Sequence, residues 1–553
     1  MKHVLSRREA LKLALAVTGA AGLAACQVAA TPQVVEKVVT QVVPATPEVV
    51  KETVVVEKEV VVGGLPIVQE PLTLRGYAFA LYSPAPGITS LNDQIFFKEM
   101  AKRTNITIQW EHAPADVPGH LDLVMASGDL PDFFGSISIA QASDYGQQGA
   151  LAPLNELIDK YAPNFKEYLL KYPEIKGMLT APDGNIYAFP RILLDPETRM
   201  FAGFFVRKDW LEEIGGDIPA TVEDVYQMLK AMKAKDPNRY PMTWDPRPLV
   251  WMWGVNTRGD ASWEDFYQEQ RKVKHGPSEP LWQEGIDFIR RLYEEGLLDP
   301  EYSTAMNQPD FVKQRFISDI SGFMYGYAGS HVSAITAAMK ETHPEIKMVP
   351  LAPPKGPYGE REIFGCHNII DASTGGAISS SCKYKAELVR YIDYYYSWEG
   401  VILSQFGVEG DTFTFVDGKP TYTDKVVNNE YGLSVIEYAW NYIAPIWFGP
   451  MVYPKEAYLQ TVSEDAREAL MTWAKHTPTK KLPVLNFSRE ENNRLRATMT
   501  DINTLLDETV SAYIDGSKPI KEHAAVVEQI KGMGIDEVLG IYEAALGRYY
   551  RSL

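Results

Sequence analysis

Apolar positions along the chain follow two rhythms, short β-prone runs and a recurrence every three or four residues, and the two alternate through most of its length. They are clearest between Gly203 and Met232. Phe204, Phe205 and Val206 predict a short strand ending at the charges Arg207, Lys208 and Asp209, ahead of a brief amphipathic piece, Trp210 to Ile214. Gly215 and Gly216 stop that piece, and Pro219 and Thr221 open a helix in which Thr221 can cap the amide of Asp224. Val222, Val225, Leu229 and Met232 then share one face. The same grammar predicts strands over Leu72 to Ala80 and Asn105 to Trp110 with a helix around Asp93 to Lys102 between them, a β-α-β crossover and hence a parallel sheet.

Further along, Leu121 to Ala126 has helical spacing and Phe133-Phe134 is a short apolar run. Leu151 to Tyr161 and Phe165 to Tyr172 predict helices, and Asn185 to Pro190 a strand. Pro241 to Asn256 is the densest aromatic loop, with Trp244, Trp251 and Trp253 among prolines. Gln283 to Gly296 predicts a helix, Ile320 to Tyr327 and Ala377 to Ser381 strands, and Lys385 to Trp398 a helix whose tyrosines pack between helices. Gly407 to Pro420 reads as a hairpin turning at Asp417-Gly418. Helices are expected over Val435 to Tyr442, Ser463 to Lys475, Asn492 to Ser517 and His523 to Arg548.

The first 70 residues follow neither rhythm. Lys2, Arg7, Arg8 and Lys12 precede an apolar stretch, Leu11 to Ala25, too short to span a bilayer comfortably. Leu23-Ala24-Ala25-Cys26 resembles the bacterial lipobox, which implies diacylation of Cys26 and a mature chain starting there. Ser6 to Lys12 resembles a twin-arginine export signal, with a plain secretory signal as the alternative. From Gln27 to about Glu70 the chain turns to Val, Thr, Pro, Glu and Lys without an aromatic anchor, the composition of a tether spanning roughly 35 to 40 Å if flexible, with a short strand or coiled association of its valines as the alternative.

A chain of 553 residues implies two or three domains, and a 45% hydrophobic content supplies their cores. The net charge of −18, without clustered Lys and Arg, excludes nucleic acid as a partner. Cys26, Cys366 and Cys382 are too few for a disulfide framework or a structural zinc site, although Cys366 and Cys382 could pair.

Several ordered pieces point to one family. They are Ser127-Gly128-Asp129-Leu130-Pro131-Asp132, Arg207-Lys208-Asp209-Trp210-Leu211 followed by Pro219-Ala220-Thr221, Asp236-Pro237-Asn238, Pro353-Pro354-Lys355-Gly356-Pro357, Gly407-Val408-Glu409-Gly410 and Gly534-Ile535-Asp536. In their order and spacing the chain resembles, over about residues 72 to 550, the family 1 extracellular solute-binding lipoproteins of ABC importers. The likeness is to the large oligosaccharide-binding branch that includes LipO-like and alginate-binding proteins. That resemblance implies a type II periplasmic-binding-protein-like α/β fold: two lobes, discontinuous in sequence, closing on a ligand, and a largely helical C-terminal part. It divides the chain into a signal peptide (1–25), lipidated cysteine and tether (26–70), first lobe (71–203), second lobe (204–370) and a returning part (371–553). The stretch from Gly203 becomes the first crossing between lobes, with Arg207, Lys208 and Asp209 near the cleft rim.

The implied partners are an oligosaccharide or other polar solute, the permease subunits and, through Cys26, the bilayer; no cofactor and no catalytic group is required. Sugar rings want aromatic faces and bidentate polar groups. The expected ligand residues are Trp244, Trp251, Trp253 and Asp245 from the second lobe, Tyr77 and Asp132 from the first, and Glu409 and Trp440 from later segments. Some alginate-binding relatives carry a calcium loop that begins like Asp236-Pro237-Asn238. Here Arg239-Tyr240-Pro241-Met242 follows and supplies no carboxylate or amide, so no metal is expected. The rival readings are a secreted glycoside hydrolase, which needs two carboxyls about 5 to 9 Å apart, and an adhesive or structural lipoprotein. No nucleophile elbow or HExxH motif supports an enzyme.

Overall fold

The structure, a computed structural model, describes residues 64–79, 87–113, 119–259, 262, 264–305, 308–340, 342–445 and 448–553. The export signal, Cys26 and the tether as far as residue 63 lie outside them. The chain is docked by Ile67, whose N–H donates to the Thr104 carbonyl at 2.9 Å. Two sheets, each with its own hydrophobic core, give a two-domain α/β architecture.

The first sheet has six strands: β1 (Leu72–Ala78), β2 (Ile106–His112), β3 (Phe133–Ile137), β4 (Phe189–Ile192), β10 (Ile370–Ile378) and β13 (Met451–Val452). Their order is β13-β4-β10-β3-β1-β2. β1 and β2 are parallel, with Leu72 opposite Ile106, and the helix Ile95–Thr104 makes the expected crossover between them. β10 is antiparallel to both β3 and β4 and separates them. Phe96, Phe133, Phe165, Ile378 and the tyrosines Tyr391, Tyr395 and Tyr396 fill this core.

The second sheet contains β5 (Ala202–Arg207), β8 (Phe323–Tyr327) and β9 (Met348–Pro350), ordered β8-β5-β9 and all antiparallel. Gly203 is obligatory in β5: a β-carbon there would lie 2.3 Å from the Trp473 ring. The helix Val222–Lys235 has the expected capping box, in which Thr221 Oγ1 accepts from the Asp224 amide and Asp224 accepts from the Thr221 amide. Phe205, Trp251, Trp282, Phe316 and Trp473 pack in the second core together with Tyr513 from the C-terminal helices. Two hairpins, β6 (Phe266–Glu269) with β7 (Lys272–His275) and β11 (Phe413–Val416) with β12 (Lys419–Tyr422), complete the strands; the second covers a small satellite core around Phe406 and Tyr438.

Several elements differ from expectation for local reasons. The single helix expected over His523 to Arg548 breaks at Gly534, whose φ of 106° ends His523–Met533 before Ile535–Ser552 starts. Leu151 does not enter a helix but bridges Ser379, and the helix starts at Asn155. Cys366 and Cys382 are free thiols buried in different cores, so they do not pair. Among the described residues no helix is long and apolar enough to cross a membrane.

Candidate functional site

Three segments carry the chain between the sheets: residues 193–201 from β4 to β5, 351–369 from β9 to β10, and 453–463 from β13 to the helix Glu464–Trp473. The register puts the carboxyl ends of β1, β3 and β4 at one end of the first sheet, beside the start of β10. That is the end from which the crossings leave, and open α/β sheets bind ligands beyond the carboxyl ends of their strands. The crossings are tied together by backbone bonds: Leu193 N–H to the Ile369 carbonyl (2.8 Å), His367 N–H to that of Arg199 (3.0 Å) and Tyr453 N–H to that of Ile192 (2.9 Å). Arg199 adds bonds to the Leu193 and Leu194 carbonyls at 2.8 and 2.7 Å.

The side chains at this end form a charged group continuous with an aromatic row. Arg191, near the end of β4, lies 3.5 Å from the Asp371 carboxylate and over the Tyr453 ring at 4.6 Å. Burial pushes Asp371 up, but the fields of His367 and Arg191 and bonds from Ser373 outweigh it, so its carboxyl ends below the ordinary value. His367, 3.7 Å from Asp371, is itself pushed down to about 4 by burial. Phe201 packs on His367 at 4.6 Å and stacks on Tyr327 at 5.7 Å; Tyr327 stacks on His331 at 5.3 Å, and Trp244 meets His331 edge-on at 4.7 Å. The row exists because β5 starts and β8 ends side by side, with Ala202 opposite Tyr327. The π-helical turn Ala328–Ser333 after β8 then brings His331 back over Tyr327.

The structure brings only some of the expected ligand residues to this place. Trp244, with φ of 71°, joins the row. Trp251 and Trp253 sit with Trp244 in the second core, at 1%, 5% and 3% exposure: Trp251 donates to the Thr257 carbonyl, and Trp253 packs on Phe288. The tight turn Arg247–Trp253 directs both inward. Asp245 is buried and engages Arg247 at 2.7 and 3.0 Å. Tyr77 lies at the carboxyl end of β1, hydrogen-bonded to His120 at 3.1 Å, its hydroxyl pushed up to about 12 by burial and the Asp122 charge. Trp440 is at the same end, its carbonyl accepting from Gln94 beside the start of the helix Ile95–Thr104. Asp132 precedes β3 at the opposite end and accepts from the Arg75 amide, while Glu409 is exposed beyond the helix Trp398–Phe406.

Arg207 also departs from its expected place. It ends β5 at the end away from the first crossing, 1% exposed on its side chain, where it pairs with Asp209 and Asp319 and stacks on Trp210. The residues that sequence reasoning missed are Arg191, Phe201, Tyr327, His331, His367 and Asp371; the one available signal was Gly326-Tyr327 closing an apolar run. Asp236 accepts from the Asn238 amide in a tight turn, and among the described residues no group of three His, Cys, Asp or Glu gathers as a metal site. A shallow surface pocket beside β6 and β7 is lined by groups engaged with one another, Arg271 over Tyr550 and Tyr550 bonded to Gln268.

Comparison with known proteins places these features in context. The profile of the bacterial extracellular solute-binding protein family matches residues 89–402, more than half of the chain. The fructooligosaccharide ABC transporter substrate-binding protein FusA of Streptococcus pneumoniae is 32% identical over 230 residues, covering 38% of this chain and 42% of FusA. The polygalacturonan/rhamnogalacturonan-binding protein YtcQ of Bacillus subtilis is 22% identical over 474 residues, covering 81% of this chain and 87% of YtcQ. Among solved structures, the alginate-binding protein AlgQ2 without calcium ion superposes with a TM-score of 0.69 at 28% identity, over 88% of this chain and 100% of AlgQ2.

Proposed function

Because the chain belongs to the bacterial extracellular solute-binding protein family, we propose that it is the receptor of an ABC importer, binding an oligosaccharide between its two sheets and delivering it to a permease. The observation that carries this reading is the aromatic row from Phe201 to Trp244, continuous with Arg191 and Asp371 at the crossings. Aromatic faces take the apolar sides of sugar rings, and an ionised pair takes hydroxyls. Tyr77 and Trp440 are proposed to extend the site from the first sheet. FusA, YtcQ and AlgQ2, named for binding carbohydrates, support a saccharide ligand and membership of the LipO-like and alginate-binding branch.

The type II arrangement is supported by β10, which enters the first sheet between β3 and β4 only after the chain has built the second. On this reading the lobes follow the sheets and change over within residues 193–201, close to the boundary after residue 203 read from sequence. A hinge at the three crossings lets ligand select a closed form, the state a permease reads. The lipobox supports an anchor on Cys26 that holds the body on the extracytoplasmic face of the membrane.

Isothermal titration against an oligosaccharide panel tests the proposal, with the sugars analysed afterwards for cleavage. Binding without product is expected. Tyr327→Ala and Phe201→Ala are each expected to lower affinity about tenfold, roughly 1.4 kcal/mol. Unchanged affinity in both folded variants would put the ligand elsewhere.

A further inference from the structure

We infer that Phe79 and His120 form the first sheet's share of the saccharide site, Phe79 as a stacking face and His120 as a hydrogen-bonding group that Tyr77 positions. The inference rests on the receptor reading above. Both residues lie at the carboxyl end of the first sheet. Phe79 directly follows β1, and His120 opens the helix His120–Ser127, which the chain reaches after leaving the carboxyl end of β2. This is the end from which the crossings leave, and the end at which open α/β sheets take their ligands.

Phe79 is an exposed ring on a fixed backbone. It is 40% exposed, and exposure by itself means little for a single apolar residue. What sets Phe79 apart is that the main chain beneath it is pinned to β2. The Ala113 N–H donates to the Ala78 carbonyl at 3.0 Å, and His112 Nδ1 donates to the Phe79 carbonyl at 3.2 Å. His112 is held in turn on its other ring nitrogen, where Nε2 accepts the Leu91 N–H at 3.1 Å. An aromatic ring presented from an anchored backbone loses little freedom when it covers the apolar face of a sugar.

His120 is fixed by the residue under it. Its ring lies within 8° of parallel to that of Tyr77, with centroids 5.9 Å apart, and its Nδ1 is hydrogen-bonded to the Tyr77 hydroxyl at 3.1 Å. Tyr77 is itself only 2% exposed and leans on Phe134 at 6.0 Å, so it supports His120 and does not present a face of its own. Tyr77 stands two positions before Phe79, the interval at which an extended chain repeats its face. The bond to Tyr77 occupies Nδ1, which leaves Nε2 of the half-buried imidazole to donate to a sugar hydroxyl or accept from one.

For the test, fructo-, xylo-, malto- and galacturono-oligosaccharides are titrated into the wild-type body, and the tightest binder is carried into variants checked for folding by their melting curves. Phe79→Ala is expected to weaken binding about tenfold with little change in Tm, while Phe79→Trp, which keeps an aromatic face, stays within about threefold of wild type. His120→Ala is also expected to lose about tenfold. Tyr77→Phe keeps the stacked ring and removes the hydroxyl. It is expected to weaken binding about threefold in the wild type and to have no further effect in His120→Ala, the non-additivity of a residue that acts through its neighbour. Unchanged affinity in folded Phe79→Ala or in folded His120→Ala overturns this inference and leaves the receptor reading standing. A Tyr77→Phe loss of the same size in both backgrounds overturns the positioning role. A folded wild type that binds no member of the panel overturns the receptor reading and this inference with it.

Discussion

At the scale of single residues, the three tryptophans of the loop 241–256 are all buried in the second core, and Trp244 also borders the aromatic row. Trp251 is buried among Tyr325 and Phe364, so Trp251→Ala removes core contacts and is expected to cost about 3 to 5 kcal/mol of stability in a denaturant titration. Trp244→Ala is expected to act on ligand affinity as well, since Trp244 reaches the aromatic row through His331. Sequence alone shows that indoles are plentiful here but not which way they face; a turn of this kind has no periodicity from which to read a buried side. Buried histidines give a second residue-scale expectation. His275 is pushed down to about 3, and His331 and His367 to about 4, all chiefly by burial. Between those values and the unfolded value of about 6.5 the unfolded chain binds more protons, so stability is full above about pH 6.5 and falls as pH drops toward 4. Melting curves from pH 7.5 to 4.5 should show a falling Tm, and His275→Gln should make the fall shallower.

At the scale of elements, local sequence was a good guide wherever an element is defined by itself. β1, the helix Ile95–Thr104, β2, β5 and the capped helix Val222–Lys235 all lie where spacing and capping put them. It was a poor guide where an element is defined by its neighbours. β10 runs from Ile370, not Ala377, because β4 pairs with its first part through a register shift between Asp371 and Gly375. β13, two residues long, exists only as a partner of β4. Such strands carry no pattern of their own. The join between them is close: a β-carbon on Gly449 would lie 2.0 Å from the Gly375 carbonyl carbon. Gly449→Ala is therefore expected to destabilise the first sheet by several kcal/mol, read as a lower denaturant midpoint, with Gly432→Ala no guide because Gly432 has open space but a φ of 65°.

At the scale of the whole molecule, the site is an outcome of topology. Phe201 meets His367, and Tyr453 meets Arg191, pairs far apart in sequence that come together because the chain passes between the sheets three times. No window of sequence holds both members of either pair, which is why they were not anticipated while the strands beside them were. The same separation settles the thiols. Cys366 and Cys382 belong to different cores, and burial raises both, Cys382 to about 11. Both are expected to resist a thiol reagent in the native protein and to react on unfolding without reductant; a change in Tm on adding reductant would contradict this.

The placement of β10 also has a meaning in time. β5, β8 and β9 all lie within residues 202–350, so a chain emerging in order has the whole second sheet before β10 exists. Until then β4 has no strand partner, since its neighbours β10 and β13 both come later, and β3 has an uncovered edge of the kind that recruits a neighbouring strand. The first sheet is thus closed only after the strands of the second have been made, although its own first strands come earlier. A nascent chain arrested before residue 370 would display an unfinished first sheet with an open β3 edge, a place for unwanted strand pairing.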